Sequence, residues 1–240
     1  MRYILFICFQ LIWLQSVFAG VTMAGTRVIF PAENSDKTLQ FTNNTPQPFF
    51  VQLWISKPSD SSNDVVSSDF TFNPQFFRMN GKTGQAVRLL FTSTKELPKD
   101  RESLFYLNFK QIPALEKEKQ DQNKLVLIVS SKFKILYRPK TILSKIEDLP
   151  SSLNYRIDHI GKKSYLTIYN PTGYFANLTQ VFVNYAGKNQ EINQVDMIPP
   201  FSSKQWDIGN TINKSDISEV SITYINDYGA YLKYKINEKL

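Results

Sequence analysis

From residue 20 onward the chain is a succession of short runs rich in β-branched and aromatic residues, with turn residues between them and no convincing helix-period segment. The first runs fall at 28–30, 38–41, 49–55, 70–72, 86–91, 104–109 and 125–137. Pro31, Asn43-Asn44, Lys57-Pro58-Ser59, Asn80-Gly81 and Leu97-Pro98 punctuate them. Seven short strands over about 115 residues match the number and spacing of an immunoglobulin-like sandwich. Asn80-Gly81 is the strongest hairpin signal among these turns, because Gly tolerates positive φ. Pro139, Ser144 and Leu149-Pro150-Ser151-Ser152 then mark a linker region. A second set of strands follows at 155–157, 165–170, 176–185, 205–208, 220–224 and 230–236, interrupted by Pro199-Pro200. The expected architecture is all-β: two immunoglobulin-like β-sandwich domains, at 20–140 and 141–240.

One run departs from the alternation of a half-buried strand. Leu125-Val126-Leu127-Ile128-Val129 is apolar at every position, so both faces of a strand here are hydrophobic. Either this is a central strand covered on both sides, or one face waits for a partner. The segment 115–123 just before it is charged, lacks β-branched residues and reads as a solvated loop.

The first nineteen residues read as a secretory signal. Arg2 supplies the positive end, residues 3–14 an apolar core, and Val17-Phe18-Ala19 a small-residue cleavage site, so that the mature chain starts at Gly20. The apolar run is shorter than the ~20 residues of a membrane span. The only cysteine, Cys8, lies inside this segment, which excludes disulfides, thiol catalysis and cysteine metal sites from the mature chain. Formal charge is +7, or +6 without Arg2. The basic residues are dispersed, so a solvated basic surface is read rather than a nucleic-acid site.

Catalytic signals are sparse. His159 is the one histidine, without cysteines or a carboxylate cluster to make a zinc site, and no nucleophile-elbow, Walker or dinucleotide motif accompanies it. No enzyme, metal or cofactor is expected. Asn43-Asn44-Thr45, Asn177-Leu178-Thr179 and Asn213-Lys214-Ser215 match the glycosylation acceptor pattern, which arises readily by chance.

Four segments in order carry a resemblance: Thr26-Arg27-Val28-Ile29-Phe30-Pro31, Leu97-Pro98-Lys99-Asp100-Arg101-Glu102-Ser103-Leu104-Phe105-Tyr106, Lys132-Phe133-Lys134-Ile135-Leu136-Tyr137-Arg138-Pro139, and Tyr224-Ile225-Asn226-Asp227-Tyr228-Gly229. They closely resemble the periplasmic chaperones of the usher pathway, which assemble adhesive pili in Gram-negative bacteria, and the short loop before Leu125 resembles the family's short-loop branch. Some members carry a second-domain disulfide that this mature chain cannot form.

The resemblance implies a boomerang of two domains in the periplasm. The last strand of the first domain would complete a pilin subunit that lacks a strand of its own; chaperone–pilin complementation is among the recognised examples of strand addition. By this likeness Leu125, Leu127 and Val129 are the donor positions, with Val126 and Ile128 facing the protein's own core. Arg27 and Lys134 would anchor the subunit's C-terminal carboxylate. Glu102, Arg138 and Asp227 would form an interdomain network. Strict alternation puts Lys134 on the face opposite Leu127, so a bulge near Ser130-Ser131 is expected. The implied partners are pilin subunits, an outer-membrane usher and a second copy of the chain through its apolar edge, but not nucleic acid. The alternatives are a structural pilin, a two-domain adhesin or a carbohydrate-binding sandwich.

Overall fold

The computed structural model describes residues 20–58, 67–114, 125–192, 194–210, 212 and 214–238. The signal expected over 1–19, the loop expected over 115–123 and Asn213 lie outside the described residues.

Among the described residues nine strands make the first domain: β1 (Val21–Met23), β2 (Arg27–Pro31), β3 (Asp36–Asn43), β4 (Phe49–Ser56), β5 (Phe70–Asn73), β6 (Phe76–Met79), β7 (Gly84–Phe91), β8 (Ser103–Pro113) and β9 (Val129–Arg138). They form a four-stranded sheet in the order β1-β3-β7-β5 and a five-stranded sheet in the order β2-β9-β8-β4-β6. Alternation does the sorting. In β3, Leu39 and Phe41 are buried while Thr38, Gln40 and Thr42 are exposed. The inner faces of both sheets supply one core around Phe30, which meets Phe70 edge-on at 5.1 Å and stacks with Tyr137 at 6.2 Å. β1 and β6 escaped the sequence reading.

The second domain holds β10 (Asn154–Ile160), β11 (Lys163–Asn170), β12 (Leu178–Tyr185), β13 (Lys188–Ile192), β14 (Ser202–Asn210), β15 (Ile217–Ile225) and β16 (Tyr231–Glu238). Their hydrogen-bonded order is β13-β12-β15-β16-β10-β11-β14. Among the described residues a two-residue parallel pairing of β10 with β16 links the halves. Leu166 and Ile168 from one half share a core with Val181, Val183, Val220 and Ile222 from the other, so the sheet folds over into a sandwich.

Two local expectations are corrected. Asn80-Gly81 is not a hairpin turn: β6 pairs with β4 and β7 with β3 and β5, so the turn carries the chain from one sheet to the other. The positive φ belongs to Lys82, and Gly81 is required because a Cβ there would collide with the Pro46 carbonyl. Leu149-Pro150-Ser151-Ser152 is not linker but one helical turn, α1 (Leu149–Ser152), with Leu149 and Pro150 buried. Leu149 and the adjoining Leu153 belong to the second core. Two of the glycosylation matches carry buried amides. Asn43 donates to the Gln47 and Asn80 carbonyls, and Asn177 is likewise enclosed.

A switch near the first described residues shapes the edge of β9. Residues 21–23 pair with β3 in the smaller sheet, and after Gly25 (φ +86°) the chain crosses to pair with β9 in the larger one. The parallel β2–β9 pairing therefore begins only at Arg27↔Lys134 and runs to Pro31↔Arg138. Toward its start β9 has β8 on one side, and among the described residues no strand pairs with its other edge before Arg27↔Lys134.

Candidate functional site

Three groups of side chains lie along β9, from its buried end to its exposed beginning. At the buried end, Arg138 joins the domains. Its Nε donates to Glu102 Oε1 at 2.7 Å, and Nη1 and Nη2 donate to Asp227 Oδ2 and Oδ1 at 2.6 and 2.9 Å. Glu102 Oε2 accepts from the Phe175 N–H at 2.8 Å, and the guanidinium lies 5.2 Å from the Tyr174 ring centre. Burial by itself lowers the Arg138 pKa, but the Asp227 hydrogen bonds and the charges of both carboxylates hold it above the ordinary arginine range. Burial pushes the Glu102 carboxyl up, against the pull of Arg138 and the Phe175 N–H. The trio named from sequence meets in one bidentate, partly buried network.

The backbone locks the same junction. Glu102 N–H donates to the Gly173 carbonyl at 2.8 Å. A Cβ on Gly173 would sit 2.5 Å from the Asp100 carbonyl, so only glycine permits this approach of the domains. Beside it, Leu136, Ile146, Leu149, Tyr224 and Leu232 line a cavity of about 260 Å³ with Arg138 and Asp227 at its polar end. Gly173, the Phe175 N–H and Tyr174 were missed from sequence; backbone groups leave no sequence signal.

Four residue pairs along, the parallel register places Arg27 opposite Lys134. Lys134 Nζ donates to Asn177 Oδ1 at 2.9 Å, and Arg27 Nη1 donates to the Ile225 carbonyl at 3.4 Å. Arg27 Nε is buried without a hydrogen-bond partner. Burial lowers the pKa of both cations, and the neighbouring Arg27 charge lowers Lys134 further. Among the described residues neither cation is in an ion pair. Two half-buried cations side by side, one with an unused donor, make a site suited to a carboxylate.

The third group is apolar. Leu125, Leu127 and Val129 are 85, 67 and 48% exposed. Only Val129 is in the strand, since residues 125–128 have no regular structure. Two expectations fail here. First, β8 and β9 pair without a register shift from Ser103↔Tyr137 to Gln111↔Val129, so no bulge interrupts Ser130-Ser131. None is required. Phe133, Ile135 and Tyr137 pack on the first core, and Val129 shares their phase. Extending the strand would put Leu127 and Leu125 on that same face, whereas Lys134 and Arg138 face the second domain. Second, Val126 and Ile128 do not face the protein's own core. They are exposed, at 38 and 55%, and their phase in an extended strand is that of Leu136, which is buried at the domain junction. In the continuing register Ile128 would meet Ile112 and Leu127 would meet Pro113, which has no N–H to give, while the Ala114 N–H is taken by the Pro48 carbonyl.

His159 is exposed at the end of β10, with Nδ1 3.0 Å from Ser164 Oγ.

Comparison with known proteins gives one answer for both domains. Residues 20–143 match the family described as pili and flagellar-assembly chaperone, PapD N-terminal domain, and residues 148–236 match pili assembly chaperone PapD, C-terminal domain. The chaperone protein FocC of Escherichia coli is 32% identical over 219 residues, spanning 91% of this chain and 89% of FocC. The crystal structure of the YadV chaperone superimposes with a TM-score of 0.73 at 27% identity, covering 90% of this chain and 98% of that one. A chain in the structure of the Salmonella enterica SafA pilin in complex with the SafB chaperone gives 0.71 at 25% identity, covering 92% and 98%.

Proposed function

The chain belongs to the PapD family of pilus-assembly chaperones, and on that premise we propose how its residues divide the work of holding a pilin subunit and passing it to an outer-membrane usher in the periplasm. The protein is a non-enzymatic chaperone of pilin subunits.

The observation that carries the assignment of sites is the open beginning of β9. An exposed run of apolar side chains beside an uncovered strand edge is costly in water. A subunit short of one strand has the complementary defect, a hydrophobic groove between two unpaired edges. Extending β9 through Leu125 satisfies the subunit's backbone groups and sends Leu125, Leu127 and Val129 into its groove. These are the positions in phase with the core-facing side of β9, so the subunit continues the hydrophobic core where the first domain's own ends. Each buried donor side chain contributes roughly 1.5–3 kcal/mol before ordering costs.

Arg27 and Lys134 receive the subunit's C-terminal carboxylate. Because the anchor is fixed at one register position, it also sets which subunit residue meets Leu127, and a slip of one residue would present the wrong face. Glu102, Arg138 and Asp227 serve the chaperone itself by holding the angle between domains 20–140 and 141–240. A second copy of the chain is the other occupant the uncovered edge admits.

The deciding experiment is native mass spectrometry of the protein purified from periplasm with co-expressed pilins, beside Arg27→Ala and Lys134→Ala. A one-to-one complex weakened in both variants is expected. A complex indifferent to both removes the anchor, and no complex with any pilin overturns the assignment of the site.

A further inference from the structure

The second domain holds the two anchor cations without neutralising them. Lys134 meets Asn177 Oδ1 and Arg27 meets the Ile225 carbonyl. Both acceptors belong to one piece of local structure. The Ile225 N–H donates to the Asn177 carbonyl at 2.9 Å, where the β12–β15 ladder opens at Leu178↔Tyr224. Asn177 is 4% exposed, and its side-chain nitrogen faces the Phe175 carbonyl at 3.4 Å. An ammonium has only donors, so the atom it meets must be the amide oxygen. The orientation of Asn177 is thus fixed from both ends.

The surrounding carboxylates are engaged elsewhere. Asp227 acts on Arg27 through space but is bidentate with Arg138. Asp196 acts on Lys134 but is exposed and paired with Lys204. Tyr231 is the other ionisable neighbour of Arg27. Asn177 uses one of the three ammonium donors and leaves two for an incoming carboxylate.

We infer that Asn177 is a positioning residue of the carboxylate anchor, a neutral acceptor reaching across the domain junction to orient Lys134 while leaving its charge for the subunit. The inference rests on the reading of Arg27 and Lys134 as the anchor. Neutrality is the essential property. An aspartate at 177 would form an ion pair with Lys134 inside the molecule and compete with the subunit, whereas a shorter side chain would leave the ammonium unheld. Donor and acceptor sit on different domains, so capture is also coupled to the domain angle that Arg138 sets.

The test compares wild-type protein with Asn177→Asp, Asn177→Ser and Lys134→Ala. Each is titrated with a pilin subunit bearing its native C-terminus and with the same subunit extended by a C-terminal tag that displaces the carboxylate. Thermal melting and an NMR titration of the Lys134 side chain accompany the binding. Asn177→Asp is expected to melt no lower than wild type, to move the Lys134 titration upward, and to capture the native subunit about tenfold more weakly, as the loss of one charge-assisted contact would. A merely structural role would lower stability and capture together. Asn177→Ser is expected to weaken capture several-fold without raising the Lys134 titration. Wild-type capture by Asn177→Asp overturns the inference while Lys134→Ala and the tagged subunit still report the anchor. If those two also behave as wild type with native subunit, the anchor reading has failed and the inference with it. Should Asn177→Asp not fold, unchanged capture by Asn177→Ser is the overturning result.

Discussion

The two ends of β9 make opposite use of the same strand. At Arg138 every strong interaction is made within the molecule, with two carboxylates, an aromatic face and a backbone N–H closing the network. At Leu125–Val129 the side chains are exposed and the strand stops. Lys134 lies between, held by an uncharged oxygen with its charge uncompensated. A cation beside two carboxylates has its charge satisfied within the molecule, whereas a cation beside an amide does not. The distinction lies in the partners, since Arg27, Lys134 and Arg138 are alike as residue types.

The contrast can be broken most sharply at the open end. Leu127→Glu should abolish subunit capture, combining the loss of roughly 1.5–3 kcal/mol of apolar burial with a desolvation penalty of several kcal/mol for the new charge. The free protein should melt as wild type, because Leu127 is exposed. Unfolding of the variant in chemical denaturation would instead make Leu127 a core residue.

At the closed end the order of effects reverses. Arg138→Ala leaves Glu102 buried without its cation and should cost the free fold about 3–5 kcal/mol. Equilibrium denaturation checks this, and a loss below about 1 kcal/mol would show the network to be solvent-screened despite its burial.

Lys134→Ala sits between the two. It should reduce subunit affinity by about 1.5–3 kcal/mol, the value of a hydrogen bond to a charged group, with no loss of free-fold stability, since burial already disfavours the ammonium. Lowered stability with unchanged affinity would move Lys134 to the structural class of Arg138.

A smaller effect follows from pH. The Lys134 pKa is lowered in the free fold, so between that value and the ordinary lysine range the unfolded chain binds more protons, and stability rises with pH there. A bound carboxylate raises the same pKa, so the complex takes up a proton and affinity falls as pH climbs through the free-protein value. Binding titrated from neutral to alkaline pH should therefore weaken while the free protein becomes more stable; parallel trends would contradict the anchor. Least affected should be Val126→Ser, within about 0.5 kcal/mol of wild type in folding, because Val126 is exposed and out of phase with the donor positions. Calorimetric melting checks it, and a large loss would restore the expectation that Val126 faces the core.

Much of this was legible in the chain. Alternating apolar residues with turn signals specify strands wherever one face is buried, which is why the longer strands stand near their expected places. The two charged groups on β9 were legible through the ordered segments that carry the family resemblance. What was not legible depended on neighbours distant in sequence. Asn80-Gly81 has hairpin chemistry, yet its flanking strands join different sheets. Asn177 looks like a glycosylation acceptor, yet its amide is buried against Lys134, forty-three residues away. No local pattern announces that Gly173 must be small because Asp100 passes over it.

The sequence by itself determined that the chain is all-β and that its apolar run at 125–129 had no polar face. Side-chain period and apolar burial are local properties that any strand must satisfy. Tertiary structure decided that the strand needs no bulge and which cations are already paired. Those outcomes follow from where β2 crosses between sheets and where the second domain places Asn177, Ile225 and Asp227. Hydrogen bonds and ion pairs act over a few ångströms of space regardless of separation along the chain.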